Sequence, residues 1–507
     1  MRRAPLVLAA TSLAAFTATL DNTVVAVALH DVQADLGAGV TGLQGVVTGY
    51  TVALAALLLT GGTLADVLGR RRVLLTGLVV FAGASAGCAL AGSVSSLITW
   101  RVVQGAGAAL VLPGSLALLA AAYDEPARRA RGVGIWAASG GLALVAGPIA
   151  GGLLVAAYSW RAVFWINLPL AALIAGVALT CPGGGRERGR RLDLPGSVLT
   201  AVVLGFATYA VVLAGRDGVG GPVVGCLVVA TVAAAVLARV ERRSSAPVLP
   251  LTLLRDRDFT GAFAGAFAAS LAVFVLLVFL SLFLQLVQGR GALPAGLLLL
   301  PLTVALVVTA PLAGRWAGRF GPRAPVVVGL GLSGLALLGL GALLTVHAAG
   351  ALLGTALAVA GVGIGLTTVP VVTASLDAVA TSRSGLASAT VSVARELGGV
   401  VAVAGLGALA VTRLGAGLTR SLLRLGVAPG RTRPLVDALL EVRTDDVTRL
   451  LLRDLGLDRA LQARLPLQAA AEASFTASTR VVLSGAGLVL LATAMICAVL
   501  LRPAPTP

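Results

Sequence analysis

The sequence has few charged residues and no lysine. Only 12% of its 507 residues are charged, and all 38 basic residues are arginines. A soluble domain has about twice that charged fraction, so the composition excludes an ordinary globular protein. Apolar residues make up 58% of the chain, and the mean hydropathy is +0.99. Because the apolar runs are about twenty residues long, and because helices satisfy their own backbone polar groups in lipid, we predict an all-α polytopic membrane protein.

Cysteine and histidine are also scarce, with four and two residues. The cysteines lie in or at the ends of apolar runs without paired spacing, so we expect neither a disulfide nor a metal site. No Gly-x-x-x-x-Gly-Lys-Ser phosphate loop occurs in the sequence, which excludes ATP as an internal energy source. We therefore expect no cofactor and no enzymatic activity. The net charge of +17 does not indicate nucleic-acid binding, because the arginines fall mostly in short loops.

Fourteen apolar segments are long enough to cross a membrane. The first resembles a signal peptide, but we interpret it as a span because every later segment is also one. An even number of spans places both termini on one side of the membrane. The predicted spans are about 6–29, 44–65, 73–92, 97–121, 133–157, 163–181, 195–214, 220–238, 260–287, 294–313, 325–346, 351–374, 386–412 and 478–501.

The distribution of arginine between the short loops predicts the orientation. Nineteen arginines lie in short loops on the side of the termini, and three lie in short loops on the other side. By the positive-inside rule, both termini are cytoplasmic. The nineteen are Arg70, Arg71, Arg72, Arg128, Arg129, Arg131, Arg186, Arg188, Arg190, Arg191, Arg239, Arg242, Arg243, Arg255, Arg257, Arg315, Arg319, Arg323 and Arg383; the three are Arg161, Arg216 and Arg290.

The chain contains an internal repeat. The segment GGTLADVLGRRRVLL at 61–75 resembles AGRWAGRFGPRAPVV at 313–327, and both join two spans on the predicted cytoplasmic side. Parallel repeats of six spans, with a substrate site between them, are a transporter architecture. The aligned pairs are Gly62 with Gly314, Ala65 with Ala317, Gly69 with Gly321, and Arg71 with Arg323.

This repeat predicts three parts of the chain. Residues 1–181 form an N-terminal six-helix bundle, and residues 182–258 form a linker with two additional spans. Residues 259–507 form a C-terminal six-helix bundle that includes an exterior loop at 413–477. Apolar residues at helical spacing within that loop predict surface helices. The loop is either a solvated cap or a lid that contacts substrate or a partner.

Asp21 lies within the first predicted span, in LDNTVVAVALH. A charge at that depth costs at least ~2.5 kcal/mol, so it needs a partner or a function. Arg101, near the outer end of span four, is predicted to lie at a similar depth. Two readings remain open at this point: a structural ion pair, or a proton site whose surroundings alternately favour and disfavour the charge.

Other polar residues within the spans are candidates for contact with a substrate. Arg395 and Glu396 lie in span thirteen, and helix neighbours point in different directions, so each needs a separate partner, water or substrate. Gln285 in span nine either lines a cavity or forms an interhelical hydrogen bond. Asn22 and Gln104 complete the set of cavity candidates. With so few deep carboxylates, the sequence favours lipophilic neutral, weakly basic or anionic substrates over doubly cationic ones.

Several motifs in order resemble the major facilitator superfamily, and within it the fourteen-span drug:proton antiporters. These motifs are LDNTVVAVALH in span one, GTLADVLGRRRVLL after span two, LITWRVVQGAGAA in span four, GGLALVAGPIAGG in span five, and SWRAVFWINLP at 159–169. The resemblance covers nearly the whole chain. The chain departs from the family pattern at Ala26, His30, Val67 and Ala143.

The resemblance implies a major facilitator fold and export coupled to inward proton flow. It implies proton coupling by Asp21 and Arg101, and a gate in which the second copy has Gly318 where the first has Asp66. It also implies that a bend at Gly147–Pro148 lets span five slide against the other half. The implied gating residues are Gly62, Asp66, Gly69, Arg70, Arg71, Gly147 and Pro148. Gly62 and Gly69 are expected to allow close backbone approach.

The implied partners are a small-molecule substrate, protons and the lipid bilayer of the cytoplasmic membrane, with the monomer as the functional unit. Two alternatives of the same fold remain: a proton-coupled importer, which the fifth-span glycines argue against, and a translocator of lipids or glycolipids. A receptor or an intramembrane enzyme does not fit, because the sequence contains neither a signalling domain nor a metal-binding spacing.

Overall fold

A computed structural model shows an α-helical membrane protein, and no β-strand occurs in the part of the chain that it describes. Several helices contain internal proline, as at Pro113, Pro301, Pro311 and Pro370, yet they remain long because lipid offers no other partner for the backbone polar groups. The structure describes residues 4–37, 40–123, 125–181, 193–217, 220–243, 253–290, 292–379, 384–424, 432, 436 and 457–502.

The helices are numbered here in chain order. They are α1 (Ala4–Leu36), α2 (Val40–Leu68), α3 (Arg70–Ala89), α4 (Val94–Ala121), α5 (Pro126–Ala157), α6 (Ala162–Trp165), α7 (Asn167–Thr180), α8 (Leu194–Asp217), α9 (Gly221–Glu241), α10 (Arg257–Val275), α11 (Ser281–Leu286), α12 (Ala292–Phe320), α13 (Arg323–Leu343), α14 (Gly350–Asp377), α15 (Ser384–Val400), α16 (Leu406–Arg424) and α17 (Leu457–Leu500). A 3₁₀ turn at Leu253–Arg255 precedes α10, and π-helical turns join α10 to α11 (Leu276–Leu280) and α15 to α16 (Val401–Gly405).

Thirteen helical segments in the described residues are long and apolar enough to span a membrane. Each corresponds to one of the fourteen predicted spans. The remaining prediction, 133–157, falls within α5, a helix of 32 residues that is not among the thirteen. The chain is thus a multi-pass membrane protein.

The segment 413–477, which was predicted to be an exterior loop, is partly helical. α16 continues to Arg424, and α17 already begins at Leu457, so helix occupies both ends of the predicted loop. The extension of α16 stays helical because Leu418 and Leu422 share one face and are buried, and α16 packs against α17. The central part of the predicted surface helices, residues 437–456, lies outside the described residues.

The two aligned segments of the internal repeat adopt the same turn. Gly69 has a φ of 102° and Gly321 a φ of 79°, in the region that favours glycine. The Gly69 amide donates to the carbonyl of Ala65 at 3.1 Å, and the Gly321 amide donates to that of Ala317 at 2.9 Å. The repeat therefore extends to backbone conformation.

Contacts between the halves follow the same two-fold relation. α2 packs against α15, and α5 packs against α12. Because the repeat relates α2 to α12, these two contacts are counterparts of one another. Helices α8 and α9, which were predicted to be two additional spans, pack on each other, and α8 also contacts α2, α15 and α16.

Spans within each half touch through glycine. A Cβ built on Gly105 of α4 would lie 2.4 Å from the carbonyl oxygen of Tyr50 in α2. A Cβ on Gly361 of α14 would lie 2.2 Å from the carbonyl oxygen of Leu302 in α12, the corresponding pair of helices. Only glycine allows such close backbone approach, and this packing holds membrane helices together without a hydrophobic driving force.

The two turn glycines give a test of the fold. We expect Gly69→Ala and Gly321→Ala each to destabilise the protein by about 1–2 kcal/mol, the cost of a left-handed conformation for a residue with a Cβ. A Cβ at Gly69 meets no atom within 4 Å, so there the cost comes from the backbone alone. The measurement is the thermal unfolding midpoint in detergent.

The control is Gly318→Ala, where an added Cβ in α12 also meets nothing within 4 Å. Because helical glycine is about 1 kcal/mol worse than alanine, this change should leave the midpoint unchanged or raise it. Equal effects of Gly318→Ala and Gly69→Ala would contradict the backbone argument.

Candidate transport site

Asp21 and Arg101 form an ion pair that is sealed inside the N-terminal half. The Arg101 Nη1 donates to Asp21 Oδ2 at 2.6 Å, and both side chains are 0% exposed. α1 carries the carboxylate and α4 the guanidinium, and these helices pack against each other. The structure thus brings together the two residues that the sequence placed at similar depth.

Two amides complete the coordination of the carboxylate. Gln104 Nε2 donates to Asp21 Oδ1 at 2.8 Å, and Asn167 Nδ2 donates to the same oxygen at 2.6 Å. Gln104 lies on the same face of α4 as Arg101, three residues further on, and its Oε1 accepts from Arg101 Nη1 at 2.8 Å. Both amide side chains are fully buried. Gln104 was predicted to line the cavity, but it contacts the ion pair instead.

Aromatic rings and backbone carbonyls close the site around the guanidinium. Its Cζ lies 4.3 Å from the centroid of the Tyr50 ring and 5.9 Å from that of Phe164. Arg101 Nε donates to the carbonyl of Val46 at 3.2 Å. A cation over an aromatic face is stabilised by the ring quadrupole, and more so when water is excluded.

Sequence reasoning did not find Asn167 and Ser85. Ser85 Oγ accepts from Asn167 Nδ2 at 3.0 Å and donates to the carbonyl of Phe164 at 2.9 Å. Asn167 lies inside the motif SWRAVFWINLP. A polar amide within an apolar run was the feature of the sequence that could have indicated a functional role. Its spatial neighbour is 146 residues away in the chain, and sequence spacing does not reveal that contact.

The sealed site is not fully satisfied. Arg101 Nη2 and Asn167 Oδ1 find no hydrogen-bond partner among the described residues. A buried polar group without a partner costs about 1–3 kcal/mol. This cost works against the sealed arrangement and lowers the free energy needed to open it.

Two small cavities lie between the halves. The first, of about 40 Å³, is lined by α1, α4, α5 and α15; the second, of about 60 Å³, by α5, α10, α12, α14 and α15. One water needs roughly 10–15 Å³ by this measure, whereas sites for drug-sized ligands have volumes of about 300–1,000 Å³. The halves must therefore separate before a substrate of that size can bind between them.

Arg395 and Glu396 both line the first cavity, and Arg395 also lines the second. The Arg395 guanidinium carbon lies 5.7 Å from the centroid of Trp136, which belongs to α5 of the other half. Thr19 of α1, two residues before Asp21, lines the first cavity as well. The cavity wall and the sealed ion pair thus share helix α1.

Two other cavity candidates lie elsewhere. Gln285 is exposed, and its amide donates to Ser281 Oγ at 2.9 Å within α11, so it lines neither of these cavities. Asn22 is half-buried on α1 and also lies outside the lining of both. The hydrophobic periodicity could not predict whether Gln285 and Asn22 face a cavity, because both helices are apolar on all sides.

The halves are linked at the arginine-rich face, where the resemblance implies a gate. Asp66, 1% exposed at the end of α2, accepts a hydrogen bond from the backbone amide of Leu386 at 3.0 Å. This amide lies in the first turn of α15, where unpaired N–H groups and the helix dipole favour an anion. An ion pair between Arg129 Nη2 and Asp377 Oδ1 at 2.6 Å forms a second link between the halves.

The basic residues of the same motif follow Asp66 in the chain. Arg70 is 4% exposed, and Arg71 donates to the carbonyls of Cys181 at 2.7 Å and Leu179 at 3.4 Å. These carbonyls end α7, where unpaired acceptors favour a cation. Gly62 is buried within α2.

Gly69 does not serve the close approach that we predicted. Its positive φ requires glycine, and a Cβ there would meet nothing within 4 Å. The close approach occurs at Gly61, where a Cβ would lie 2.1 Å from the carbonyl oxygen of Ala109.

Gly147 and Gly151 of span five face α1, whereas Gly134 and Gly141 of the same helix lie near α12 of the other half. A Cβ on Gly147 would lie 1.9 Å from Thr23 Oγ1, and one on Gly151 would lie 3.0 Å from Val24. This small face of α5 therefore packs on α1 of the same half rather than on the other half. The assigned helix continues through the predicted bend, and the side chain of Pro148 lies outside the described residues.

The fold, the internal two-fold relation and the sealed ion pair define a secondary transporter. The chain belongs to the Major Facilitator Superfamily, whose profile matches residues 11–403. Multidrug resistance protein Stp of Mycobacterium tuberculosis (strain CDC 1551 / Oshkosh) is 36% identical over 86% of this chain and 81% of its own. The methylenomycin A resistance protein of Streptomyces coelicolor is 34% identical over 77% and 82%. The tetracenomycin C resistance and export protein of Streptomyces glaucescens is 34% identical over 78% and 74%.

Solved structures share the fold at low sequence identity. The human organic anion transporter MFSD10 (TETRAN) aligns with a TM-score of 0.60 and 15% identity, over 97% of this chain and 99% of its own. The proton:xylose symporter XylE aligns with a TM-score of 0.55 and 17% identity, over 79% and 87%. At these identities the likeness establishes the fold alone.

Removing the Asp66 carboxylate should open the gate. A hydrogen bond to a charged group contributes about 1.5–3 kcal/mol, so Asp66→Ala should raise the population of the open state about tenfold or more. The reporter is Ser392→Cys, at a residue that lines the first cavity and is 5% exposed. Its maleimide labelling rate in purified protein, read by mass spectrometry, should rise in proportion.

Arg129→Gln is the matched control at the same face. Its ion pair with Asp377 is partly exposed, at 17% and 60%, and such pairs contribute only about 0–1 kcal/mol. Labelling should therefore rise much less. An unchanged labelling rate in Asp66→Ala would show that Asp66 does not hold the halves together.

Proposed function

We propose that this chain is a proton-coupled exporter that moves lipophilic drugs, antibiotics or secondary metabolites out of the cell by alternating access, without altering them chemically. The observation that carries the proposal is the Asp21 carboxylate: it is fully buried, held by three side-chain donors, and two residues from the wall of the central cavity. The names of the relatives support export of antibiotics as the direction of transport.

The sealed pair supplies a physical basis for coupling. Protonation of Asp21 removes the counter-ion of Arg101, and loss of one partner of a buried pair costs about 3–5 kcal/mol. The protonated protein therefore leaves the sealed arrangement. A proton bound from the exterior is released to the cytoplasm once the inner side opens, and release restores the negative charge.

The substrate is expected to contact α1, the helix that carries Asp21. Thr19 and Ala15 of α1 line the first cavity, so a molecule that enters between the halves displaces the helix that carries Asp21. Proton release and substrate binding thereby become linked through one rigid element. This is a coupling between two sites, in which each ligand changes the affinity for the other.

The cavity lining favours a particular class of substrate. Trp136, Phe274 and several aliphatic residues line the two cavities together with serine and threonine hydroxyl groups, and the charged residues among the described lining are Arg395 and Glu396. One cation and one anion suit lipophilic neutral, weakly basic or anionic molecules. A doubly cationic substrate would find a single carboxylate.

The proposed gate lies on the cytoplasmic side of the membrane. Both termini lie in the cytoplasm by the arginine distribution, so the Asp66–Leu386 link closes the cytoplasmic side. Asp66, Arg70 and Arg71 hold that closed state, and the small face at Gly147 lets α1 and α5 move as a unit. One chain contains both halves, so we take the monomer as the functional unit.

The decisive variant is the double mutant Asp21→Asn, Arg101→Gln. It leaves no buried charge unpaired, so it should fold and insert as the wild type does. An amide cannot titrate, so the mutant should bind substrate but fail to concentrate it. The assay is uptake into inside-out vesicles with an acidic lumen, using a probe chosen from an efflux panel that includes methylenomycin A, tetracenomycin C and a neutral lipophilic dye.

The single mutant Arg101→Gln is the control for folding, because it leaves the Asp21 carboxylate buried without its ion-pair partner and should lower the unfolding midpoint. Concentrative uptake at the wild-type level by the double mutant would overturn the proton site and leave Asp21 a structural charge. Uptake driven only by an alkaline lumen would instead indicate an importer.

A further inference from the structure

The connection between α5 and α7 runs from the outer surface to the buried carboxylate. It turns at Ser159, forms the four-residue helix α6, and reaches Asn167 at the first position of α7. Trp160 and Phe164 within it are 2% and 0% exposed. Connections between helices are usually exposed and lack large buried aromatic residues. The burial of this one indicates that it holds neighbouring residues in place.

The outer end of the connection is fixed by Asp35. This residue lies six positions beyond the candidate span that ends at Leu29. Its Oδ2 accepts from Arg161 Nη1 at 2.5 Å and from Trp160 Nε1 at 2.9 Å. These hydrogen bonds lower the pKa of Asp35, and the one from Arg161 has the larger effect. Asp35 is therefore ionised at neutral pH.

Arg161 ties this end to a third element. Its Nη2 donates to the carbonyl of Ala91, between α3 and α4, at 3.3 Å. Its guanidinium also stacks 4.3 Å from the centroid of the Trp160 ring. We call Asp35, Trp160 and Arg161 the outer cluster. It joins the end of α1, the α3–α4 turn and the α5–α7 connection.

The inner end of the connection reaches the ion pair through two routes. The Trp160 ring meets Phe164 edge-on, with centroids 6.1 Å apart, and the Phe164 ring lies 5.9 Å from the Arg101 guanidinium carbon. The backbone carbonyl of Phe164 accepts from Ser85, which accepts from Asn167. Asn167 then donates to Asp21.

We propose that Asn167 is a positioning residue for the proton-carrying carboxylate, and that the outer cluster holds the connection in place and so seals Asp21 from the exterior. The proposal rests on the proposed function of Asp21. When the connection lifts, the Asp21 carboxylate loses one of its three side-chain donors and faces the outside. The motif SWRAVFWINLP is then the outer seal of the proton site.

The charged and titratable groups around Asp21 come from three other helices. They are Arg101 from α4, Tyr50 from α2 and Cys88 from α3, whose Sγ lies 3.7 Å from Gln104 Oε1. The Asn167 amide donates a hydrogen bond to the ionised carboxylate at 2.6 Å and so favours its charged form. Its removal should therefore make the proton harder to release.

The first experiment measures substrate-driven proton release from purified protein as a function of pH, with the probe from the efflux panel. Asn167→Leu keeps the branched shape and the number of side-chain heavy atoms and removes the donor. We expect the pH of half-maximal release to rise by about one unit, the shift that one hydrogen bond to a charged group produces. Asn167→Gln, which keeps an amide, should lie closer to the wild type.

Ser85→Ala is the matched control, because it removes a hydrogen bond to Asn167 but leaves the contact with Asp21. Its pH profile should be that of the wild type. A purely structural Asn167 would lower the unfolding midpoint without moving the pH profile, and that result would overturn the inference. If Asp21→Asn still releases protons in this assay, the proposed function itself fails.

The second experiment tests the seal with two native cysteines. Cys88 is 0% exposed beside the ion pair, and Cys497 is 0% exposed in the C-terminal half. We expect Asp35→Asn and Trp160→Phe each to raise the maleimide labelling rate of Cys88 about fivefold, the effect of losing a partly exposed contact. Cys497 should label at an unchanged rate.

Equal increases at Cys88 and Cys497 would indicate general loosening, and an unchanged rate at Cys88 would show that the outer cluster does not seal the site. Either result overturns the proposed seal. Mass spectrometry of the peptides after digestion distinguishes the two cysteines, so the wild-type cysteine content can be kept.

Discussion

The N-terminal half is organised around one carboxylate and one guanidinium that are both shut away from water. Taking such a pair out of water costs several kcal/mol per ion, and their attraction offsets this cost only with further hydrogen bonds. Those bonds come from four helices: Asp21 from α1, Ser85 from α3, Gln104 from α4 and Asn167 from α7. The four helices are therefore tied at one point, and the half is expected to move as a rigid body.

The second half repeats the backbone without repeating the charges. The alignment that relates Gly105 to Gly361 places Leu357 at the position of Arg101 and Ala360 at that of Gln104, and both are fully buried. Where one copy holds an ion pair, the other holds an apolar core. Its deep charges stand on α15, facing the cavity between the halves.

Composition and motif order were enough to predict the helical membrane fold, the internal repeat and the encounter of Asp21 with Arg101, because these depend on run length and spacing. The face of each helix could not be predicted. Gln104 points to the ion pair, Gln285 points outward, and Gly147 packs on α1, yet each lies in a helix that is apolar all round. Because polar and apolar residues do not separate onto different faces of these helices, the hydrophobic periodicity does not predict which way a side chain points. The packing of the helices decides it.

Asn167 illustrates the same limit for distant contacts. Its motif was recognised, but the partner of its amide stands 146 residues earlier, and no local pattern joins the two. The continuation of α16 and the early start of α17 were missed for another reason. Charged residues there suggested a loop, whereas buried Leu418 and Leu422 stabilise an amphipathic extension of the helix.

The absence of lysine limits which groups of this protein can change charge near neutral pH. A guanidinium stays charged at every pH that a cell experiences, whereas a buried ammonium readily loses its proton. With arginine alone, the cationic half of each ion pair is a constant. Changes of charge near neutral pH are then confined to carboxyl groups, the two histidines, the four cysteine thiols and the α-amino group. Under the proposed coupling, the charge of Asp21 therefore changes while the surrounding cationic charges stay fixed.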